Sequence, residues 1–419
     1  MRRIQIATTA VIALGFALAC GSSDKEVDSG TDSGTDTTDP SNPWSAETSP
    51  CSGSKMEALY CSDALTCHVG CGSNADGAGL FVTGDGGQSW SMAEDSAGGA
   101  FFDSFRVLDI TPDGSGGLYV AGTGTTDHRV VGYDPATGDL SEVYTNDPNV
   151  DYSMTVGTYA RTSDGTEVAE SLTGAGVVVR KDDSDFRDTY ADYDGWASAY
   201  GWWHTAGFSN HNQILDLAVV DDQILGVGAQ INYTPVVYLP PRSWDFATDN
   251  DGDEDGYLES MWEVVELVDS FSTYDGECWH VDGNSDGIAL ACVNEDADVG
   301  RVYTIGADWQ TAAYDTENWT ETRVEEIVAF ARVDGHSTYN EGVCRGPDND
   351  ITVVGRDSQT DNGYAIRSTD GGASWAELTA DIADAYGDDF GPATRCMYTD
   401  THLLIGGSGL YAHVALADL

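Results

Sequence analysis

Thr83-Gly84-Asp85-Gly86-Gly87-Gln88-Ser89-Trp90 and Ser368-Thr369-Asp370-Gly371-Gly372-Ala373-Ser374-Trp375 are two copies of one phrase, 285 residues apart. Each follows a short apolar run, Leu80-Phe81-Val82 in the first case and Tyr364-Ala365-Ile366 in the second. The phrase reads as a hairpin turn with a defined job for every position. The Asp carboxylate accepts turn N–H groups, the glycines supply positive φ, the hydroxyl residues add local bonds, and the Trp covers the hairpin.

Working outward, a second phrase recurs: an apolar strand, a turn containing Asp, then an apolar strand ending near Gly. Its anchors are Leu59, Val107, Tyr159, Ile214, Cys278, Val343 and Cys396, spaced 48, 52, 55, 64, 65 and 53 residues apart. Asp63, Asp113, Asp164, Asp221, Asp282, Asp348 and Asp400 are the corresponding turn residues. Propeller blades take roughly 40–50 residues before loop insertions. The 49 glycines in 419 residues fit many tight turns and short strands. The expectation is an all-β, disulfide-bonded β-propeller over 44–419, with seven blades and with six or eight as the bounds of the spacing.

The two turn phrases resemble Asp-boxes, also called BNR repeats, the hairpin motif of the sialidase-like β-propeller superfamily. The resemblance implies that Asp85, Trp90, Asp370 and Trp375 are structural and lie toward the outer edges of blades. It does not specify a chemistry. A sialidase would need three arginines on a substrate carboxylate, a Tyr nucleophile with a Glu partner, an Asp acid/base, and a Phe/Tyr-Arg-Ile-Pro segment. The last is absent from the sequence. Arg106, Arg161, Arg345 and Arg395 fall on or beside expected inner strands, where they would either meet a ligand or pair with the chain's own carboxylates.

Met1-Arg2-Arg3, an apolar run to Leu18, and Ala17-Leu18-Ala19-Cys20 resemble a bacterial lipoprotein signal peptide over 1–19, with lipid attached at Cys20. Ser, Thr, Gly and Asp dominate residues 20–43, too polar to offset the entropy of ordering, so this stretch reads as a disordered acidic tether. Gly21 in place of Asp favours the outer membrane or cell surface within the envelope. The membrane would thus be a partner through the N-terminal lipid.

Export places eight further cysteines in an oxidising compartment. Cys278 and Cys292 flank a turn-rich segment, so a hairpin there sets them opposite one another. Cys344 and Cys396 each precede a turn Asp by four residues, on equivalent strands of adjacent repeats. Cys51, Cys61, Cys67 and Cys71 pair in several ways; His68 makes zinc a rival for that cluster, against the poor Cys-x₃-Cys spacing.

The formal charge of −53, from 71 Asp+Glu against 18 Lys+Arg, excludes nucleic acid as a partner. Asp251, Asp253, Asp255, Tyr257 and Glu259 have the spacing of a calcium loop, with Trp262 where the usual bidentate Glu would stand. The alternative is a solvated acidic loop. Trp196, Tyr200, Trp202 and Trp203 form an aromatic-rich stretch that serves either as a ligand platform or as packing between blades. The eight histidines form no compact catalytic motif, and the carboxylates are too numerous for one pair to stand out as a glycosidase dyad. The expected function is a lipid-anchored binding or scaffold module for a glycan or protein ligand; the alternative is a sialidase-like glycoside hydrolase.

Overall fold

The computed structural model describes residues 42–419 except 52, 73–76, 100, 104, 125–127, 146–155, 172–175, 182–186, 189–212, 231–233, 240–262, 268–275, 295–298, 331–335 and 388. The lipid site Cys20 with its leader and tether, the loop of Asp251, Asp253, Asp255, Tyr257 and Glu259, and the stretch of Trp196, Tyr200, Trp202 and Trp203 all lie outside the described residues.

Among the described residues the strands fall into seven four-stranded antiparallel sheets, the blades of a propeller. The inner strands are Met56–Cys61, Arg106–Pro112, Val156–Arg161, Gln213–Val220, Glu277–Asn284, Thr338–Arg345 and Ala393–Tyr398, here blades 1 to 7. Each contacts the inner strand of the next blade, and blade 7 returns to blade 1, so the ring is closed. All seven sequence anchors lie on these strands. Blade 7 is completed from the other end of the chain, because Ser45–Thr48 pairs antiparallel with Leu410–Ala415 as its outermost strand.

The apolar cores lie between blades. Val227, Val237 and Leu239 of blade 4 pack with Val281, Leu290 and Tyr303 of blade 5. Val354 and Ala365 of blade 6 pack with Ala393, Leu403 and Ile405 of blade 7. A sheet buried on both faces needs apolar residues at successive positions, which explains runs such as Ile351-Thr-Val-Val354 that break strict alternation.

The two turn phrases are built alike, between the third and fourth strands of blades 1 and 6. Asp85 accepts from Thr83 Oγ1 at 2.8 Å, Ser89 N at 2.9 Å and Ser89 Oγ at 2.6 Å. Asp370 accepts from Ser368 Oγ at 2.8 Å, Ser374 N at 2.8 Å and Ser374 Oγ at 2.6 Å. The second glycine of each turn serves twice. Gly87 and Gly372 have φ of 90° and 98°, and a Cβ would come within 2.4 Å of Tyr411 and 2.8 Å of Thr304, both on the preceding blade. Trp90 meets that blade as well, edge-to-face on Tyr411 with centroids 5.3 Å apart.

Disulfides join Cys51 to Cys71, Cys61 to Cys67, Cys278 to Cys292 and Cys344 to Cys396. Cys278 and Cys292 are direct cross-strand partners, while Cys344 and Cys396 tie the inner strands of blades 6 and 7. One turn assignment is corrected. Asp282 is not in the hairpin turn of blade 5 but inside its inner strand, which runs on to Asn284 and turns back at Gly287.

Candidate functional site

Every inner strand carries a β-bulge at the same level. The register with its neighbour slips between Met56 and Ala58, Val107 and Asp109, Val156 and Tyr159, Ile214 and Asp216, Cys278 and His280, Asn340 and Gly342, and Ala393 and Arg395. An unpaired extra residue bends the strand and re-aims the side chains beside it. The residues at or just after these slips include Glu57, Asp109, Thr158, Asp216, Trp279, His280, Glu341 and Arg395. Seven repeats of one backbone irregularity thus make a polar girdle. Except for Glu341 these residues line, with others from all seven inner strands, a central cavity of about 850 Å³.

Half of the girdle is a cluster of fixed charges. Glu57 Oε1 meets Arg106 Nη2 at 3.4 Å, and its Oε2 meets Arg395 Nη2 at 3.7 Å and Lys55 Nζ at 3.8 Å. Glu341, its side chain only 5% exposed, holds Lys55 Nζ at 2.6 Å and Arg356 Nε at 2.9 Å. Burial pushes the Glu341 carboxyl up, but Lys55 and Arg356 outweigh it and hold the group below its ordinary value. Arg395 also donates to the carbonyls of Glu57 at 2.6 Å and Glu341 at 3.1 Å, bridging blades 7, 1 and 6.

The other half is a run of proton-bearing groups. Arg395 Nη1 lies 3.0 Å from His280 Nε2, and His280 Nδ1 lies 3.3 Å from Asp216 Oδ2. A guanidinium only donates, so Nε2 is the acceptor, and the imidazole proton sits on Nδ1 facing Asp216. Burial, reinforced by Arg395 and Lys55, holds the His280 pKa well below its ordinary value, so the ring is neutral. Thr158 Oγ1 then stands between two carboxylates, 3.1 Å from Asp109 Oδ2 and 3.5 Å from Asp216 Oδ1. Its one proton satisfies one of them, leaving the other as an acceptor without it. Burial pushes Asp109 up to about 6, with the neighbouring Asp216 charge adding to the rise; burial likewise pushes Asp216 up to about 6.

Three cavity-lining carboxylates, Asp109 and Asp216 of the girdle and Asp282 two residues beyond its bulge, also latch neighbouring blades. Asp109 accepts from Tyr159 N at 2.9 Å, Asp216 from Val281 N at 3.0 Å, and Asp282 from Arg345 N at 2.8 Å. Burial raises Asp282 to about 6 as well.

The four arginines expected on inner strands are there and all line the cavity, but they divide between two levels. Arg106 opens its strand and Arg395 adjoins its bulge, and the two share Glu57. Arg161 and Arg345 close theirs, at the opposite end. Arg161 is engaged by the Tyr119 hydroxyl and by Glu167 at 3.5 Å. No three arginines converge on one point among the described residues. Nor, among the described residues, do three or more His, Cys, Asp or Glu side chains group so as to hold a metal ion. Glu57, Asp109, Asp216, His280 and Glu341 escaped the sequence reading. Their signal was positional: Val107-Leu-Asp-Ile110 and Ile214-Leu-Asp-Leu217 set an Asp at the same place in two aligned repeats.

No family model matches the chain, and no curated protein does. Solved structures do. YCF48 bound to D1 peptide is 14% identical with a TM-score of 0.55, covering 89% of this chain and 97% of that one. YCF48 from Cyanidioschyzon merolae is 11% identical with a TM-score of 0.52, covering 90% and 100%. Virginiamycin B lyase from Staphylococcus aureus is 10% identical with a TM-score of 0.54, covering 89% and 99%. At such identities the likeness shows the fold: the chain is a β-propeller, similar to a peptide-bound protein and to an enzyme alike.

Proposed function

We propose that the protein is a ligand-binding β-propeller of the bacterial cell envelope, held at the outer membrane or cell surface through lipid on Cys20, with its ligand seated in the central channel. The observation that carries this reading is the set of seven aligned bulges, which spend backbone hydrogen bonds to aim polar side chains into one cavity. The ligand is a glycan or a protein segment, whose polar groups would meet Arg106, Asp109 and Asp216 while its apolar face meets Trp279. Calcium at Asp251, Asp253 and Asp255 belongs to the same proposal. It predicts a melting temperature that rises with Ca²⁺ and falls with chelator; a melt indifferent to both contradicts it.

Screening the full chain on glycan and peptide arrays, then titrating any hit against Trp279→Ala, tests the channel. Lost affinity at an unchanged melting temperature supports it. Affinity untouched by channel substitutions contradicts it.

A second reading, glycoside hydrolysis, is favoured by one observation: Asp109 and Asp216 are coupled through Thr158, with carboxyl groups raised to about 6, the range of a general acid. It rests on these carboxylates rather than on an arginine clamp. Release of reducing sugar by the full chain that is abolished in Asp216→Asn supports it; no release across a panel of envelope glycans contradicts it.

A further inference from the structure

The chain has three lysines, Lys25, Lys55 and Lys181. Lys55 stands immediately before the inner strand of blade 1 and reaches over the channel mouth toward blades 5 and 6. Its ammonium lies 2.6 Å from Glu341 Oε2, 3.8 Å from Glu57 Oε2 and 5.6 Å from the centroid of the Trp279 ring. The Glu341 and Glu57 side chains are 5% and 14% exposed, whereas the Lys55 side chain is 33% exposed. A buried acid pair, with Arg106 and Arg395 also on Glu57 and Arg356 also on Glu341, and an aromatic face thus frame a cation that is the most exposed charged member of the group. It is a flexible four-carbon chain entering from solvent.

We infer that this pocket is a receptor site for a primary ammonium group, and that Lys55 is its internal occupant, displaced when a ligand carrying such a group enters the channel. Three features agree. Carboxylate, carboxylate and aromatic ring are the complement of an ammonium, which donates along three directions and is attracted to a π face. The site opens on the cavity, lined by Lys55, Glu57 and Trp279, so a ligand need not break the ring to reach it. A molecule with a formal charge of −53 draws cations from a distance and repels anions. The chemical class is an amino sugar or a peptide amine. This inference rests on the channel being the ligand site and specifies which group the ligand presents.

Glucosamine and N-acetylglucosamine, titrated calorimetrically into the full wild-type chain and into Lys55→Ala, separate the two claims. Removing the internal competitor should tighten glucosamine binding by about tenfold or more, as expected for a site freed from a pre-bound occupant, and leave N-acetylglucosamine unaffected. Propylammonium, which replaces the atoms lost in Lys55→Ala, should restore the variant's melting temperature and fail to do so in Lys55→Ala with Glu341→Gln. If the variants do not fold, the wild type still answers. With three lysines to resolve, the Lys55 Nζ resonance should move to that of a free lysine as glucosamine is added. Equal glucosamine affinity with and without Lys55, or an unmoved Lys55 signal at saturation, overturns the inference. Neutral sugars that bind the channel regardless would leave the channel reading standing in that event, whereas ligands that bind elsewhere on the protein would remove both.

Discussion

The aspartates of the blade turns and those of the channel girdle are the same residue in opposite situations. Asp85 and Asp370 sit in solvent with their carboxylates saturated by Ser, Thr and backbone N–H donors a few residues away, and Ser89 and Ser374 respectively hold them below the ordinary carboxyl value. Asp109, Asp216 and Asp282 accept one backbone N–H each from the next blade, and burial raises all three to about 6. Charge stabilised by local hydrogen bonds contributes to architecture. Charge held against desolvation stores free energy, which a ligand or a proton can release. The large formal charge of the chain is therefore not one property, and only its inner fraction is poised to respond.

The contrast is sharpest where fixed charge and proton-bearing groups meet. Arg395→Ala removes the guanidinium shared by Glu57 and His280 and leaves a buried carboxylate short of a partner, so it should destabilise the fold by about 3–5 kcal/mol in chemical denaturation. A loss below about 1 kcal/mol would mean that solvent in the channel already screens the cluster.

The next largest effect is on the pH profile. A carboxyl raised in the folded state contributes stability that is complete below its ordinary value and is lost as pH climbs through about 6. Wild-type stability should accordingly fall between about pH 4 and 6, and Asp216→Asn should remove up to about 3 kcal/mol of that fall. Identical profiles for the two proteins would break the contrast. The smallest effect belongs to the turns: Asp370→Asn keeps the size but weakens the bonds to Ser368 and Ser374, and should lower the melting temperature slightly, with the loss appearing only above the ordinary carboxyl range. A cost exceeding that of Arg395→Ala would invert the ranking.

Local features were legible in the sequence, and the site was not. The turn phrases show themselves because every bond of Asp85 and Asp370 is made within four residues. The inner strands show themselves because apolar anchors recur with each blade, and Cys278 and Cys292 because their hairpin is continuous in sequence. The girdle depends on contacts such as that of Arg395 with His280, 115 residues apart, and on bulges marked in the sequence only by an Asp at the same place in two repeats. Asp282 reads as a turn residue for a local reason instead. Its neighbours Gly283 and Asn284 are turn formers, but the strand is held two residues further by pairing with Ile288 and Gly287.

The central claim, that the channel holds carboxyl groups of a different kind from those of the blade turns, is tested most directly by residue-resolved NMR titration of the side-chain carboxyl carbons in the full chain. Asp109, Asp216 and Asp282 should titrate near 6, and Asp85 and Asp370 below the ordinary carboxyl value. A single population of aspartates titrating together around the ordinary value would contradict it.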